Sequence, residues 1–231
     1  VSYIKIGDVA VDQGKPNDAR SDYEQALTIA KQLALSDPGN AGWQRDLTVS
    51  YIKIGDAAAK MGDLDEARSN YEQGLAIRRK LVLSDPGNVE WQRDLTISYD
   101  RIGNVAVKQG KLDKARASYE QGLAIRRQLV LSGPGNAGWH RDLTVSYNSV
   151  GDVAVKQGNL DEARLNYEQG LAIRKQLALS DPGNAEWRRI LTVSYKSIGD
   201  VAVKRGNLDE ARLNYEKALV IAQQLASSDP G

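Results

Sequence analysis

The sequence predicts an all-α solenoid built from antiparallel helix-turn-helix repeats, and three observations carry that prediction. The four tryptophans, Trp43, Trp91, Trp139 and Trp187, stand 48 residues apart. Apolar residues recur at helical spacing in two stripes per period, and no alternating strand pattern appears. Turn sequences return in the same register, as Asp85-Pro86-Gly87-Asn88, Gly133-Pro134-Gly135-Asn136 and Asp181-Pro182-Gly183-Asn184. A fixed period of this size marks an array whose units pack mainly on their neighbours. Five units fit, 1–47, 48–95, 96–143, 144–191 and 192–231, as one continuous array over residues 1–231. The first and last units are short, so the array is expected to be cut from a longer one.

The elements follow in order within residues 41–88. Trp43, Leu47, Tyr51, Ile54 and Ala58 step by three or four residues and form one helical stripe, which Gly62 closes. Leu64, Ala67, Tyr71, Leu75 and Leu81 form a second stripe, broken by Arg78. Ser84-Asp85-Pro86-Gly87 cannot continue a helix. Asn40, Asn88, Asn136 and Asn184 read as N-caps of the first helices. Asp63/Glu66, Asn159/Glu162 and Asn207/Glu210 read as capping boxes of the second helices, and Pro16 as an N1 proline.

Composition excludes whole classes of chemistry. With no cysteine there is no disulfide framework, thiol chemistry or cysteine metal site. A lone histidine, His140, cannot build a multi-histidine site, and it occupies a slot that accepts Gln44, Gln92 and Arg188. The formal charge of +1 argues against a nucleic-acid footprint. No 18-residue apolar run is present to span a membrane, and no leader segment is seen. The glycines stand singly rather than in a phosphate-cradling loop. No enzyme, metal or cofactor is expected.

The residues Tyr51-x2-Ile54-Gly55-x2-Ala58, Ala67-x3-Tyr71, Gly74-Leu75 and Pro86, whose tyrosine, glycine and alanine slots Tyr51, Gly55, Ala67 and Tyr71 recur in all five units, resemble the tetratricopeptide repeat (TPR) family, whose unit of 34 residues shows W-x2-L-G-x2-Y, A-x3-F and P. The units here are longer by about two turns per helix, roughly 10 Å, as in extended arrays of bacterial multidomain proteins. The resemblance implies a right-handed superhelix whose first helices line a concave surface. It also implies a non-enzymatic scaffold binding a protein or peptide, in the cytoplasm of a bacterium. The alternatives are a structural spacer or self-assembling module of a larger protein, or a consensus-like engineered array. Leu208, Leu219, Ile221 and Leu225 remain apolar in the last unit, which raises self-association through the array ends as a further expectation.

The family's groove positions map onto four columns. The ninth motif residue is Asp8, Asp56, Asn104, Asp152 or Asp200. The thirteenth is Asp12, Lys60, Lys108, Lys156 or Lys204. The sixth is Lys5, Lys53, Arg101, Ser149 or Ser197, and the fifth Ile4, Ile52, Asp100, Asn148 or Lys196. The acidic column suits a cationic or amide-rich partner. Ile4 and Asp8 do not match a clamp for a C-terminal carboxylate. Variation at the fifth and sixth positions fits either a binding groove or solvent positions free to drift.

One further pattern predicts structural ion pairs. Arg78, Arg126 and Arg174 lie late in second helices, and Asp46, Asp94 and Asp142 early in first helices, with both charges lost towards the ends of the array. An antiparallel hairpin turning near residue 62 would pair Asp46 with Arg78, Asp94 with Arg126 and Asp142 with Arg174. Arg79 is then left as an ordinary surface cation.

Overall fold

In the computed structural model, residues 2–228 are described and form ten α-helices. They are α1 (Ser2–Asp12), α2 (Pro16–Ser36), α3 (Ala41–Met61), α4 (Leu64–Ser84), α5 (Val89–Lys108), α6 (Leu112–Ser132), α7 (Ala137–Lys156), α8 (Leu160–Ser180), α9 (Ala185–Lys204) and α10 (Leu208–Ser228). Odd-numbered helices are the first helices of each hairpin and even-numbered ones the second. The chain divides into two compact units, residues 1–122 and 123–231.

In the first unit, each second helix packs on its own first helix and on the first helix of the next hairpin, as α2 does on α1 and α3 and α4 does on α3 and α5. Ala10, Ala19, Tyr23, Ile54 and Ala57 form one buried cluster across α1, α2 and α3. Ile52, Ala58, Ala67, Tyr71 and Val105 form the equivalent cluster one period on. In the second unit, Ala154, Tyr167, Leu171, Tyr195, Ile198 and Val201 belong to one core that spans α7, α8 and α9.

The helix ends are set as the sequence suggests, with two departures. Asn40, Asn88 and Asn136 each accept from the backbone N–H of the tryptophan three residues on, at 3.1 Å, and Asn184 does so at 3.3 Å. Gly62 closes α3 at φ +87°, a left-handed conformation that side-chain-bearing residues rarely adopt. Asp63 caps Glu66 N–H at 2.9 Å, but the Glu66 carboxylate does not reach back; it is taken by Arg20 of α2 at 2.8 Å. Asn159 makes no side-chain cap bond, whereas Asn207 accepts from Glu210 N–H at 3.2 Å. The His140 ring meets the Pro134 carbonyl at 2.8 Å, as Gln44 meets that of Pro38 at 3.3 Å, so the slot serves the turn before each first helix.

The expected arginine pairing is corrected. Arg78 is only 5% exposed, and it turns away from exposed Asp46 towards the following hairpin. Its Nη1 donates to the Asp94 carbonyl at 2.6 Å and to Ser98 Oγ at 2.9 Å, and Nη2 lies 3.9 Å from the Asp94 carboxylate. Asp94 is shared with Arg45 at 3.2 Å. Arg126 likewise reaches forward to Ser146 Oγ and Arg174 to Ser194 Oγ, so neither follows the predicted pattern of Asp94–Arg126 and Asp142–Arg174. The reason is geometric. A second helix has two first-helix neighbours, and the antiparallel register around the turn at Pro86 brings Arg78 to Asp94. Where Asp94 has Ile190 as its counterpart, Arg174 is held instead by the Asn148 amide oxygen at 2.9 and 3.2 Å. Burial lowers the pKa of both arginines, to about 10 for Arg78, where the Asp94 charge opposes the shift.

The packing rests on glycines used at two different tightnesses. A Cβ on Gly55 would stand 2.5 Å from Tyr71 Cε1, whereas one on Gly74 would meet nothing nearer than 3.7 Å. Gly55→Ala is expected to destabilise the protein by about 1–3 kcal/mol through overpacking. Gly74→Ala is expected to be neutral or to stabilise by about 0.5–1 kcal/mol through helix propensity. Urea denaturation of the two variants checks both signs.

Candidate functional site

The site is built from a recurring dipeptide on each first helix. Gly55 lets the Tyr71 ring lie against the α3 backbone, and the hydroxyl then reaches the next residue, donating to Asp56 Oδ1 at 2.6 Å. The same geometry recurs at Gly7-Asp8 with Tyr23 at 2.9 Å, Gly103-Asn104 with Tyr119 at 2.6 Å, Gly151-Asp152 with Tyr167 at 2.5 Å and Gly199-Asp200 with Tyr215 at 2.7 Å. The acidic column is therefore first a set of tyrosine acceptors. A constant 15-residue spacing between acceptor and tyrosine was present in the sequence, and it was the signal that could have found this pair.

In the first unit a second contact lies on the same oxygen. Lys53 of α3 places Nζ 2.6 Å from Asp8 Oδ1, and Arg101 of α5 places Nη1 2.8 Å from Asp56 Oδ1. Each cation also lies 5.9 Å from the centroid of the tyrosine ring below it. Burial pushes the Asp8 pKa up, but the bonds from Lys53 and Tyr23 outweigh it and hold the carboxyl below its ordinary value. Burial, with the carboxylate acceptor second, raises the Tyr71 and Tyr167 hydroxyls; Asp200 adds to the effect of Asp152 on Tyr167.

These contacts shape two open clefts one period apart, lined from the same repeat slots. The first is lined by Asp8, Val11, Asp12, Tyr23, Lys53, Asp56, Ala57 and Lys60. Advancing each position by 48 gives the second: Asp56, Ala59, Lys60, Tyr71, Arg101, Asn104, Val105 and Lys108. Among the expected groove residues, Asp8, Lys53, Asp56, Lys60, Arg101, Asn104 and Lys108 come together here. Lys5 is exposed one turn before Asp8, outside the lining.

The fifth column is corrected. Ile52 is 7% exposed and belongs to the core, so it cannot face a ligand. Ile4 packs against the first core cluster, and Asn148 serves Arg174. Asp100 is half-buried, and only Lys196 of that column is exposed. In the second unit Asp152, Lys156, Asp200 and Lys204 are exposed on α7 and α9. Arg79, expected as a surface cation, donates to Tyr99 Oη from Nε and Nη2 at 3.1 and 3.0 Å and lies over that ring at 5.5 Å.

Comparison with known proteins agrees with this architecture. Sequence families described as tetratricopeptide repeat match residues 46–128, and residues 1–37 and 143–181. The chain belongs to the tetratricopeptide repeat family. Among solved TPR-like structures, it is similar to a Podosopora anserina protein of nearly identical TPR-like repeats assigned as a kinesin light chain (17% identity, 100% of this chain and 96% of that one, TM-score 0.73). It is also similar to MamA (20%, 96% and 97%, 0.58) and to apo RapI (14%, 96% and 53%, 0.72). At these identities the likenesses show the fold. No curated protein matches the sequence. Among the described residues of this TPR chain, no helix is long and apolar enough to cross a membrane, and no group of three or more histidine, aspartate or glutamate side chains could hold a metal ion.

The tyrosine–aspartate bond makes a pH prediction. The folded hydroxyl of Tyr71 keeps its proton to higher pH than an unfolded tyrosine, whose pKa is about 10. The stability carried by that difference is full below about pH 10 and is lost as the pH rises above it. Tyr71→Phe is expected to cost about 1 kcal/mol at neutral pH. Its urea midpoint is expected to fall less than the wild type's between pH 8 and pH 10.5.

Proposed function

We infer that the chain is a non-catalytic scaffold that binds an extended segment of a protein across the first helices within a compact unit. The observation that carries this reading is the recurrence of one cleft, with the same slots, at the repeat register. Neighbouring helices pack 8–10 Å apart, and an extended chain rises about 3.3 Å per residue. About three residues of such a segment span one repeat. Its side chains would then meet equivalent clefts in turn, each offering a tyrosine ring floor, a carboxylate or amide, and a lysine rim at Lys60 or Lys108.

The competing reading is a rigid spacer, favoured by the bonds that tie one repeat to the next without any ligand, such as Arg20–Glu66 at 2.8 Å and Arg45–Asp94 at 3.2 Å. Selection of random linear peptides displayed against the folded chain separates the two. The scaffold reading expects enriched peptides whose binding falls about tenfold or more when Lys60 and Lys108 are both changed to Glu, since each reverses a rim charge that makes no ion pair or hydrogen bond among the described residues. Absence of enrichment assigns the spacer role. Binding unaffected by the double reversal moves the site off this face.

A further inference from the structure

We propose that the position between α7 and α9 equivalent to these clefts takes a basic side chain, arginine or lysine, of the bound segment, with Asp152 as its acceptor. This rests on the peptide-binding reading above and names the partner chemistry for that position.

Equivalent slots in the two units are filled differently. In the first unit each aspartate that accepts from a tyrosine also holds a cation supplied by the sixth slot of the next first helix: Lys53 on Asp8 at 2.6 Å and Arg101 on Asp56 at 2.8 Å. These are two worked cases, within one chain, of what the Asp–Tyr pair binds. In the second unit the sixth slot facing Asp152 is Ser197. Its hydroxyl turns back to donate to the Val193 carbonyl at 3.2 Å. Asp152 accepts from Tyr167 alone, and among the described residues no cation of the chain lies within ion-pair distance of it, Lys156 and Lys204 included.

Exposure follows the same division. Asp8 and Asp56, lying under their cations, are half-buried, whereas Asp152 is exposed. The helices on either side are nonetheless packed as in the first unit, since Ala154 of α7 shares a core with Ile198 and Val201 of α9. Replacing lysine by serine therefore removes the internal cation and keeps its receptor: a carboxylate oriented by a tyrosine hydroxyl, above an aromatic ring. An ammonium or guanidinium from a partner completes the arrangement that Lys53 and Arg101 complete internally.

The test uses the full chain and two variants that keep the fold. Asp152→Asn removes the charge but preserves an acceptor for Tyr167, as Asn104 accepts from Tyr119 at 2.6 Å. Ser197→Lys supplies the internal cation, as Lys53 does. Random linear peptides are selected on the wild type, and the enriched sequence is synthesised and titrated calorimetrically against all three proteins, with circular dichroism melts to show that the variants fold. The expected result is arginine or lysine fixed at one peptide position, and binding at least about tenfold weaker to both variants. Equal binding to all three proteins, or selected peptides with no basic preference, overturns this assignment and leaves the scaffold reading standing. No enrichment on the wild type overturns both.

Discussion

The structure depends on one contact: a tyrosine ring laid on a glycine, with its hydroxyl bonded to the residue after that glycine. Gly55 admits the Tyr71 ring at a distance no Cβ would tolerate, and Asp56 receives the hydroxyl. One dipeptide thus fixes both the depth and the rotation of the second helix against the first, and all five hairpins use it. The buried clusters follow from that approach, since Ala58, Ala67 and Val105 meet around Tyr71 only when the helices are this close. Dispersion and burial supply the stabilisation, while the hydroxyl bond selects one register among the packings that burial alone would permit.

The same contact creates an electrostatic demand that links one hairpin to the next. A half-buried carboxylate is costly unless it is compensated. Tyr71 supplies one bond to Asp56, and Arg101, from the following hairpin, supplies the charge. The lock within a repeat therefore becomes a tie between repeats. The buried arginines obey the same logic on the other side of the second helices. Arg78 is met by Asp94 and Ser98, and Arg174, which faces Ile190 where Arg78 has Asp94, by Ser194 and Asn148. Arg174, buried without a carboxylate, is tolerated because neutral oxygens on two helices accept from its terminal nitrogens.

Much of this was legible in the residues. The period, the two stripes per unit, the glycine C-cap and the asparagine N-caps are local signals, and local backbone physics decides them. What stayed hidden depends on which neighbour a side chain chooses. Arg78 could be placed on a helix and matched with an aspartate, but its helix has two first-helix neighbours, and the residues do not say that Asp94 rather than Asp46 is met. Ile52 sits one residue away from the open face on a helical wheel, and a small rotation of α3 carries it into the core. In the sequence the tyrosines fall in an apolar stripe, which leaves no sign that their hydroxyls occupy the acidic column. The spacing of 15 was visible, but its meaning required the hairpin's crossing geometry.

This reassignment changes what the variation among repeats means. The fifth and sixth slots both vary, and taken together they suggested a single variable face. The structure separates them. The fifth slot holds Ile52 in the core and Asn148 on Arg174, so its changes follow the internal packing and charge of each hairpin. In the first unit the sixth slot lies in the open clefts, where Lys53 and Arg101 occupy their aspartates; in the second unit Ser197 bonds its own helix instead. In an array of near-identical units, a difference at one slot is enough to make the position at Asp152 unlike the two clefts of the first unit. A ligand selective for that position must then supply the group those clefts supply for themselves.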